Sequence, residues 1–129
     1  MTISIAVVGA HLEGQPLHHQ LTDRGAVLVG RTTTAPSYRM YALPTEPPKP
    51  GLVRVEDGGG AVEVEVWALE DAAFGTLVDG VPAPLAIGRL VLADGTDVAG
   101  FLCEPIATDG AEDITRWGGW RGYLSRPPG

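Results

Sequence analysis

The stretch Ile3–Leu21, with the sequence ISIAVVGAHLEGQPLHHQL, decides the fold that we predict for this chain. It opens with a largely apolar run that is rich in β-branched residues, which predicts a buried strand. The small residues Gly9 and Ala10 then form a bend, and the leucines that follow are spaced one helical turn apart. The order of strand, bend and helix directs backbone N–H groups toward one point, which favours an anion-binding site.

His11 lies in this bend and is the side chain there that can gain or lose a proton near neutral pH. The bend therefore predicts a site for an anionic ligand, with His11 as the group for proton transfer. The alternative is that the imidazole only hydrogen-bonds neighbouring backbone and holds the bend in shape.

The composition predicts one folded domain over residues 1–129, with 44% hydrophobic residues and a mean hydropathy of +0.09. The net charge of −7 and the pI near 4.7 argue against a nucleic-acid partner or an acidic membrane surface. No apolar run approaches the ~20 residues of a membrane span. The single cysteine, Cys103, fits a reducing compartment, so we expect a cytoplasmic protein.

The rest of the chain predicts a strand-rich domain. The two-residue link Asp94-Gly95 predicts a hairpin, and short helical turns with packed aromatic residues are expected over residues 113–124. The expected fold class is α+β, with a curled sheet or small mixed β-barrel and short flanking helices. Further strands are predicted over residues 26–34, 38–43, 52–55, 61–69, 87–93 and 96–104, and a helix over 70–78.

Two stretches carry further polar candidates. The alternation in residues 61–69 places Glu63, Glu65 and Trp67 on one strand face, which we predict to be exposed to solvent. Four prolines in residues 44–51 predict a stiff surface loop that holds the only lysine, Lys49. A solvated loop lysine without a binding role is the open alternative for Lys49.

Metal and cofactor sites are not expected. His18 and His19 are adjacent, so on a helix they diverge by about 100°, and no cysteine or histidine cluster accompanies them. A zinc site therefore lacks its ligands. The chain also lacks glycine-rich dinucleotide and phosphate-loop motifs, so we predict no cofactor.

Six segments, taken in order, resemble the C-terminal domain of allophanate hydrolase, and the resemblance covers nearly the whole chain. It implies the fold of the γ-glutamyl cyclotransferases, a mixed β-barrel or curled sheet with short flanking helices. The segments are VVGAHL at residues 7–12, APSYRMYAL at 35–43, PKPGLVR at 48–54, VEVWAL at 64–69, GFLCEP at 100–105 and GGWRGY at 118–123.

The resemblance also implies a function. In allophanate hydrolase an amidase domain cleaves allophanate to ammonia and N-carboxycarbamate, and the C-terminal domain assists decarboxylation of that product. We expect this chain to act as a stand-alone version, with a protonated His11 giving a proton to the leaving nitrogen. For Arg39 a salt bridge to Glu63 or Glu65 is the alternative to a binding role. The residues expected to bind the substrate carboxylates are Gly9, Ala10, Leu12, Tyr38, Arg39, Lys49 and Gly51.

Two other functions stay open. The chain can be a non-catalytic assembly module that contacts a separate amidase subunit or a second copy through exposed Trp67, Trp117 or Trp120. It can also be a γ-glutamyl cyclotransferase-type enzyme. We rank this function last because those enzymes use a glutamate in the loop that corresponds to residues 79–85, where none occurs here.

Overall fold

The computed structural model describes residues 1–128. Within them, eight strands form a five-stranded and a three-stranded sheet, with short helices between them. No helix in this part of the chain is both long and apolar enough to cross a bilayer. The strands are β1 (Thr2–Val7), β2 (Val27–Thr33), β3 (Tyr38–Leu43), β4 (Lys49–Arg54), β5 (Glu63–Glu70), β6 (Leu85–Val91), β7 (Asp97–Cys103) and β8 (Glu112–Asp113), and the α-helices are α1 (His19–Thr22), α2 (Asp71–Asp79) and α3 (Trp120–Leu124).

The five-stranded sheet has the order β2-β5-β1-β7-β6, with β1 at its centre. Strand β1 runs antiparallel to β5 and parallel to β7. Its side chains Ile5, Ala6 and Val7 are fully buried, which confirms the predicted buried first strand. Strands β6 and β7 form the predicted hairpin, and Gly95 in its turn has a φ of 87°.

The three-stranded sheet has the order β4-β3-β8 and packs across the end of β7. The close approach depends on Gly51, because a Cβ there would lie 2.7 Å from the Cys103 Sγ. Cys103 is a buried free cysteine of the core, as expected. The two sheets curl around a shared set of buried apolar side chains without closing into a barrel, so the α+β fold with a curled sheet is confirmed.

The helical segment after the bend is shorter than the leucine spacing predicts. Only His19–Thr22 is α-helical, and the residues before it form successive turns. Gly14 with its φ of 87° and Pro16 interrupt the regular backbone there. Gly25, with a φ of 71°, follows the end of this helical segment.

The proline-rich stretch also differs from the prediction, since Lys49 and Pro50 belong to β4 rather than to a surface loop. Both residues are buried. Strand β4 lies at the edge of its sheet, where a proline without an N–H is tolerated. The loop between β3 and β4 is therefore confined to residues 44–48.

The predicted exposure of the Glu65 and Trp67 face is wrong. Strand β5 lies between β2 and β1, and the exposed fractions of Glu65 and Trp67 are 0% and 6%. The period-two alternation wrongly predicted solvent exposure because two other parts of the chain cover this face. These are the segment after the bend, through Glu13, and helix α3, through Arg121. Both residues donate hydrogen bonds to the Glu65 carboxylate, which makes its burial possible.

Candidate functional site

The bend after β1 presents backbone donors without acceptors. Its own turn is closed by hydrogen bonds from the Leu12 N–H to the Gly9 carbonyl (3.0 Å) and from the Leu17 N–H to the Ala10 carbonyl (2.8 Å). The N–H groups of Gly9, Ala10 and His11 donate to no acceptor within residues 1–128. Free N–H groups on three successive residues are potential hydrogen-bond donors to an anionic ligand.

Glycine at position 9 brings strand β4 against the bend. A Cβ at Gly9 would lie 2.2 Å from the Pro50 Cδ, a distance that no real contact allows. Lys49 precedes Pro50, so this close packing places the lysine beside His11 at the same cavity. Because Gly9 has no side chain, β4 can pack close to the bend, and the two predicted polar residues His11 and Lys49 line the same cavity.

A cavity of about 210 Å³ lies in front of the bend. At about 30 Å³ per water, it has room for a small organic ligand rather than for a peptide. A smaller adjoining space of about 10 Å³ is bordered by Gly9, Ala10, His11 and Lys49. The side walls of the larger cavity come from the β3–β4 loop, the α2–β6 loop and β7, and its lining residues are His11, Leu17, Gln20, Glu46, Pro47, Lys49, Gly80, Val81, Pro82, Leu85 and Phe101.

His11 is held in one orientation by Gln20 and Phe101. Its Nε2 lies 2.7 Å from the Gln20 Oε1, and its ring stacks on Phe101 with centroids 4.8 Å apart. Because an amide oxygen only accepts, Nε2 carries a hydrogen and Nδ1 keeps its lone pair in the neutral ring. Burial lowers the pKa of His11 below 6.5, the Gln20 bond raises it in part, and the Lys49 charge lowers it further.

The neutral state of His11 changes the expected chemistry. An imidazolium was predicted, whereas burial beside a cation favours the neutral imidazole at neutral pH. An anion bound next to the ring would offset both effects and raise its pKa. Proton donation by His11 is therefore linked to the arrival of a negatively charged ligand.

Acidification is expected to destabilise the protein through His11. The unfolded chain takes up a proton near the ordinary pKa of 6.5, whereas the folded state takes it up only at lower pH. The free energy of unfolding should thus fall as the pH drops below 6.5. Thermal unfolding at pH 7 and about pH 5 should show a smaller loss for His11→Gln than for the wild type. Equal losses in the two proteins would contradict this assignment.

Lys49 is a mostly buried residue whose ammonium has no counter-ion within residues 1–128. Its exposed fraction is 7%, and within residues 1–128 it forms no salt bridge and no side-chain hydrogen bond. The alternative of a solvated loop lysine is therefore wrong. A buried charge is costly unless it is paired, so an anion at the free N–H groups of the bend would stabilise Lys49 as well.

Four of the predicted binding residues lie elsewhere. The Leu12 side chain is fully buried in the core, and Gly51 packs against Cys103. Tyr38 is fully buried, and its hydroxyl accepts a hydrogen bond from the Val91 N–H (2.8 Å). These three positions shape the fold and do not line the cavity.

Arg39 is the fourth of these residues. Its guanidinium forms a salt bridge to Asp113 with an N–O distance of 2.5 Å and also donates to the Gly58 carbonyl. The alternative for Arg39 was a salt bridge within the protein. Such a salt bridge is present, but its partner is Asp113 and not Glu63 or Glu65. The pKa of Arg39 is raised by the hydrogen bond and charge of Asp113.

The sequence analysis missed Gln20, Glu46 and Phe101. Glu46 could have been noticed, because it lies three residues before Lys49 in the same proline-rich segment. Phe101 reaches His11 only through the packing of the bend against β7, and Gln20 reaches it from α1 across the turns that follow the bend; the sequence carries no spacing signal for either contact. Within residues 1–128, no three His, Cys, Asp or Glu side chains converge in a way that would hold a metal ion.

A buried carboxylate supports the bend from behind. The Glu65 Oε1 accepts hydrogen bonds from the Glu13 N–H (2.9 Å) and the Trp67 Nε1 (3.1 Å). Its Oε2 accepts from Arg121 (2.8 Å) and Arg31 (3.4 Å). Burial raises the pKa of Glu65, but the bonds from Glu13, Arg121 and Trp67 outweigh burial and lower it.

The tail is tied to the bend by the same network. Arg121 of α3 donates to the Glu13 carbonyl (2.7 Å) as well as to Glu65. Trp120 is buried and stacks on Tyr123, which confirms that the tail packs its aromatic residues onto the body. His18 adds a further tie, since its Nδ1 lies 2.8 Å from the His11 carbonyl oxygen.

Comparison with known proteins places this architecture in a family. A model of the allophanate hydrolase C-terminal domain matches residues 3–125. The chain belongs to the allophanate hydrolase C-terminal domain family. This match confirms the family resemblance that was predicted from the six sequence segments.

The relatives in which this domain occurs include much longer chains. Urea amidolyase of Saccharomyces cerevisiae is 42% identical over 128 residues, which is 95% of this chain and 7% of that protein. A structure of Kluyveromyces lactis allophanate hydrolase has a TM-score of 0.93 at 40% identity over 98% of this chain and 21% of that one. The chain thus spans a small part of these enzymes.

A relative of the same length is also known. The crystal structure of a uropathogenic E. coli-specific protein matches with a TM-score of 0.90 and 37% identity, covering 99% of both chains. At 11% identity, a γ-glutamyl cyclotransferase shares the fold with a TM-score of 0.58. The predicted likeness to the cyclotransferase fold is therefore confirmed.

Proposed function

We propose that this domain binds a small carboxylate between the bend and Lys49 and assists decarboxylation of N-carboxycarbamate, or of a similar small nitrogenous acid, in urea or amide nitrogen metabolism. The observation that carries the proposal is the position of Lys49, which has no counter-ion within residues 1–128 and lines the same small space as Gly9, Ala10 and His11, the residues whose N–H groups lack an acceptor. Its relatives named urea amidolyase and allophanate hydrolase support the choice of substrate.

The proposed step is a proton-assisted cleavage of a C–N bond. The C–N bond of N-carboxycarbamate breaks, carbon dioxide leaves, and the electron pair stays on nitrogen. The nitrogen takes one proton from His11, so the products are carbon dioxide and carbamate. Burial and the Lys49 charge lower the pKa of His11 and favour the neutral ring, so the bound anion is needed to raise that pKa and let the ring take a proton from solvent.

The test couples this domain to an amidase that cleaves allophanate and itself lacks the domain. We expect the wild-type domain to accelerate the release of carbon dioxide, and we expect His11→Ala to lose most of that acceleration, on the order of 10²-fold for a missing proton-transfer group. His19→Ala is the matched control, because His19 is exposed and does not line the cavity. Release of carbon dioxide at the same rate with and without the domain would refute the proposal.

A second candidate function is association with a separate amidase subunit or with another copy of the chain. The longer relatives, in which this domain is one part of the chain, favour it. Of the three tryptophans that were predicted as exposed contacts, Trp67 and Trp120 are buried and do not support it, whereas Trp117 is half-buried. Light scattering with and without the amidase distinguishes this function from a monomeric binding domain.

A γ-glutamyl cyclotransferase function is still the least favoured of the three candidate functions. The loop over residues 79–85 contributes Gly80, Val81, Pro82 and Leu85 to the cavity but no carboxylate. The shared fold is not a sufficient reason to assign that chemistry. Formation of 5-oxoproline from a γ-glutamyl substrate would overturn this ranking.

A further inference from the structure

The cavity contains a second charged group that the proposed function does not use. Glu46 lies in the β3–β4 loop and lines the same cavity as His11 and Lys49. Its side chain forms no salt bridge and no hydrogen bond within residues 1–128, and in particular it does not pair with Lys49. The cavity therefore carries a free cation and a free anion that do not neutralise each other.

The loop that carries Glu46 is restrained. Pro47 and Pro48 follow it directly, and the Thr45 hydroxyl donates a hydrogen bond to the Pro47 carbonyl (2.7 Å). Proline residues reduce the number of conformations that a loop must lose when it is ordered. Glu46 is thus presented at the cavity by a loop that needs little further ordering when a ligand binds.

A cavity with opposite charges on different walls selects a ligand with matching groups. A carboxylate fits the side of Lys49 and the free N–H groups of the bend, whereas the Glu46 carboxylate only accepts hydrogen bonds. Glu46 is an exposed residue of the loop, and a ligand group that faces its carboxylate is stabilised there only if it donates a hydrogen bond. A nitrogen with an N–H, such as that of an amide or carbamate, satisfies this condition, and a methyl or methylene group does not.

We propose that Glu46 is a specificity-determining residue that selects small carboxylates bearing an amide or carbamate N–H. The inference rests on the proposed carboxylate site and names the ligand class that this site prefers. In N-carboxycarbamate the N–H points away from both carboxylates. An N–H directed at Glu46 therefore leaves both carboxylates on the side of Lys49 and the bend.

Oxamate and pyruvate test this inference as a matched pair of probes. Both are small monocarboxylates of the same charge, and they differ in an amide NH₂ in place of a methyl group. We expect the wild-type protein to bind oxamate about tenfold more tightly than pyruvate, as a hydrogen bond to a charged acceptor implies. The ratio of the two Kd values, measured by isothermal titration, should fall to about one in Glu46→Leu.

Glu56→Leu is the control, because Glu56 is an exposed glutamate outside the cavity and should leave the ratio unchanged. Equal affinities in the wild type, or a preference for oxamate that persists in Glu46→Leu, would overturn the inference. Binding of malonate distinguishes a failure of the proposed role of Glu46 from a failure of the carboxylate site itself. If malonate binds and depends on Lys49 while oxamate shows no preference, only the role of Glu46 fails. If neither malonate nor the two probes bind, the carboxylate site fails as well.

Discussion

Replacement of Lys49 by methionine is expected to weaken binding of malonate at least tenfold while leaving the domain at least as stable as the wild type. The Lys49 residue is 7% exposed, and its ammonium has no counter-ion within residues 1–128. Methionine has a similar length and carries no charge to desolvate, so the free energy of unfolding should stay equal or rise. Loss of a hydrogen bond between charged groups costs about 1.5–3 kcal/mol, which weakens malonate binding at least tenfold.

This prediction separates a binding residue from a structural one. A lysine that stabilises the fold would lower the melting temperature when it is replaced, whereas a lysine kept for its ligand would not. Thermal unfolding and isothermal titration with malonate measure the two effects on the same samples. Arg54→Met is the control, since Arg54 is an exposed cation at the other end of β4 and should change neither quantity. A destabilised Lys49→Met protein that still binds malonate would reverse the assignment.

Replacement of Glu65 by alanine is expected to cause the largest loss of stability among the polar residues discussed. The side chain is fully buried and accepts hydrogen bonds from Glu13, Trp67, Arg121 and Arg31. Removal of one partner from a buried charged network costs roughly 3–5 kcal/mol. For a domain of this size, the melting temperature should fall by roughly 10 °C or more.

The neighbouring Glu63 provides the control for Glu65. Glu63 binds the same Arg121 at 3.2 Å, but its side chain is 42% exposed, so Glu63→Ala should cost less than about 1 kcal/mol. The pKa of Glu65 is lowered, so its contribution is present above the unfolded value of 4.5 and is lost as the pH falls through the folded pKa. The difference between wild type and Glu65→Ala should therefore shrink at acidic pH. Equal losses for the two variants would show that burial of Glu65 contributes nothing.

Local sequence signals predicted the parts of the fold that depend on neighbouring residues. The apolar run of β1, the small residues of the bend and the Asp94-Gly95 hairpin turn all form as expected. Each follows from backbone preferences over a few residues. The number of predicted strands and short helices indicated a curled sheet or small barrel, and the resemblance to a family implied the same fold.

Long-range contacts caused the errors. The alternation of β5 was interpreted as one exposed face, but Arg121, 56 positions further along the chain, neutralises Glu65 and allows its burial. Tyr38 and Arg39 were assigned to a ligand, although their partners Val91 and Asp113 lie on other strands. A polar residue in the sequence does not reveal whether its partner is a ligand or a distant part of the chain.

The candidate site was predicted in part for the same reason. His11 and the free N–H groups belong to one short segment, so the bend itself could be recognised. The position of Lys49 beside them depends on Gly9, whose missing side chain lets Pro50 pack against the bend. Glu46 and Gln20 enter the cavity from separate segments, and only the folded chain brings them together.

The most direct test of the central claim is an amide NMR titration of the wild-type protein with malonate. The account predicts that the largest shifts occur at the N–H groups of Gly9, Ala10 and His11, since these donors have no acceptor within residues 1–128. The same shifts should be absent in Lys49→Met. Shifts centred on another surface, with the three bend amides unchanged, would contradict a carboxylate site at the bend.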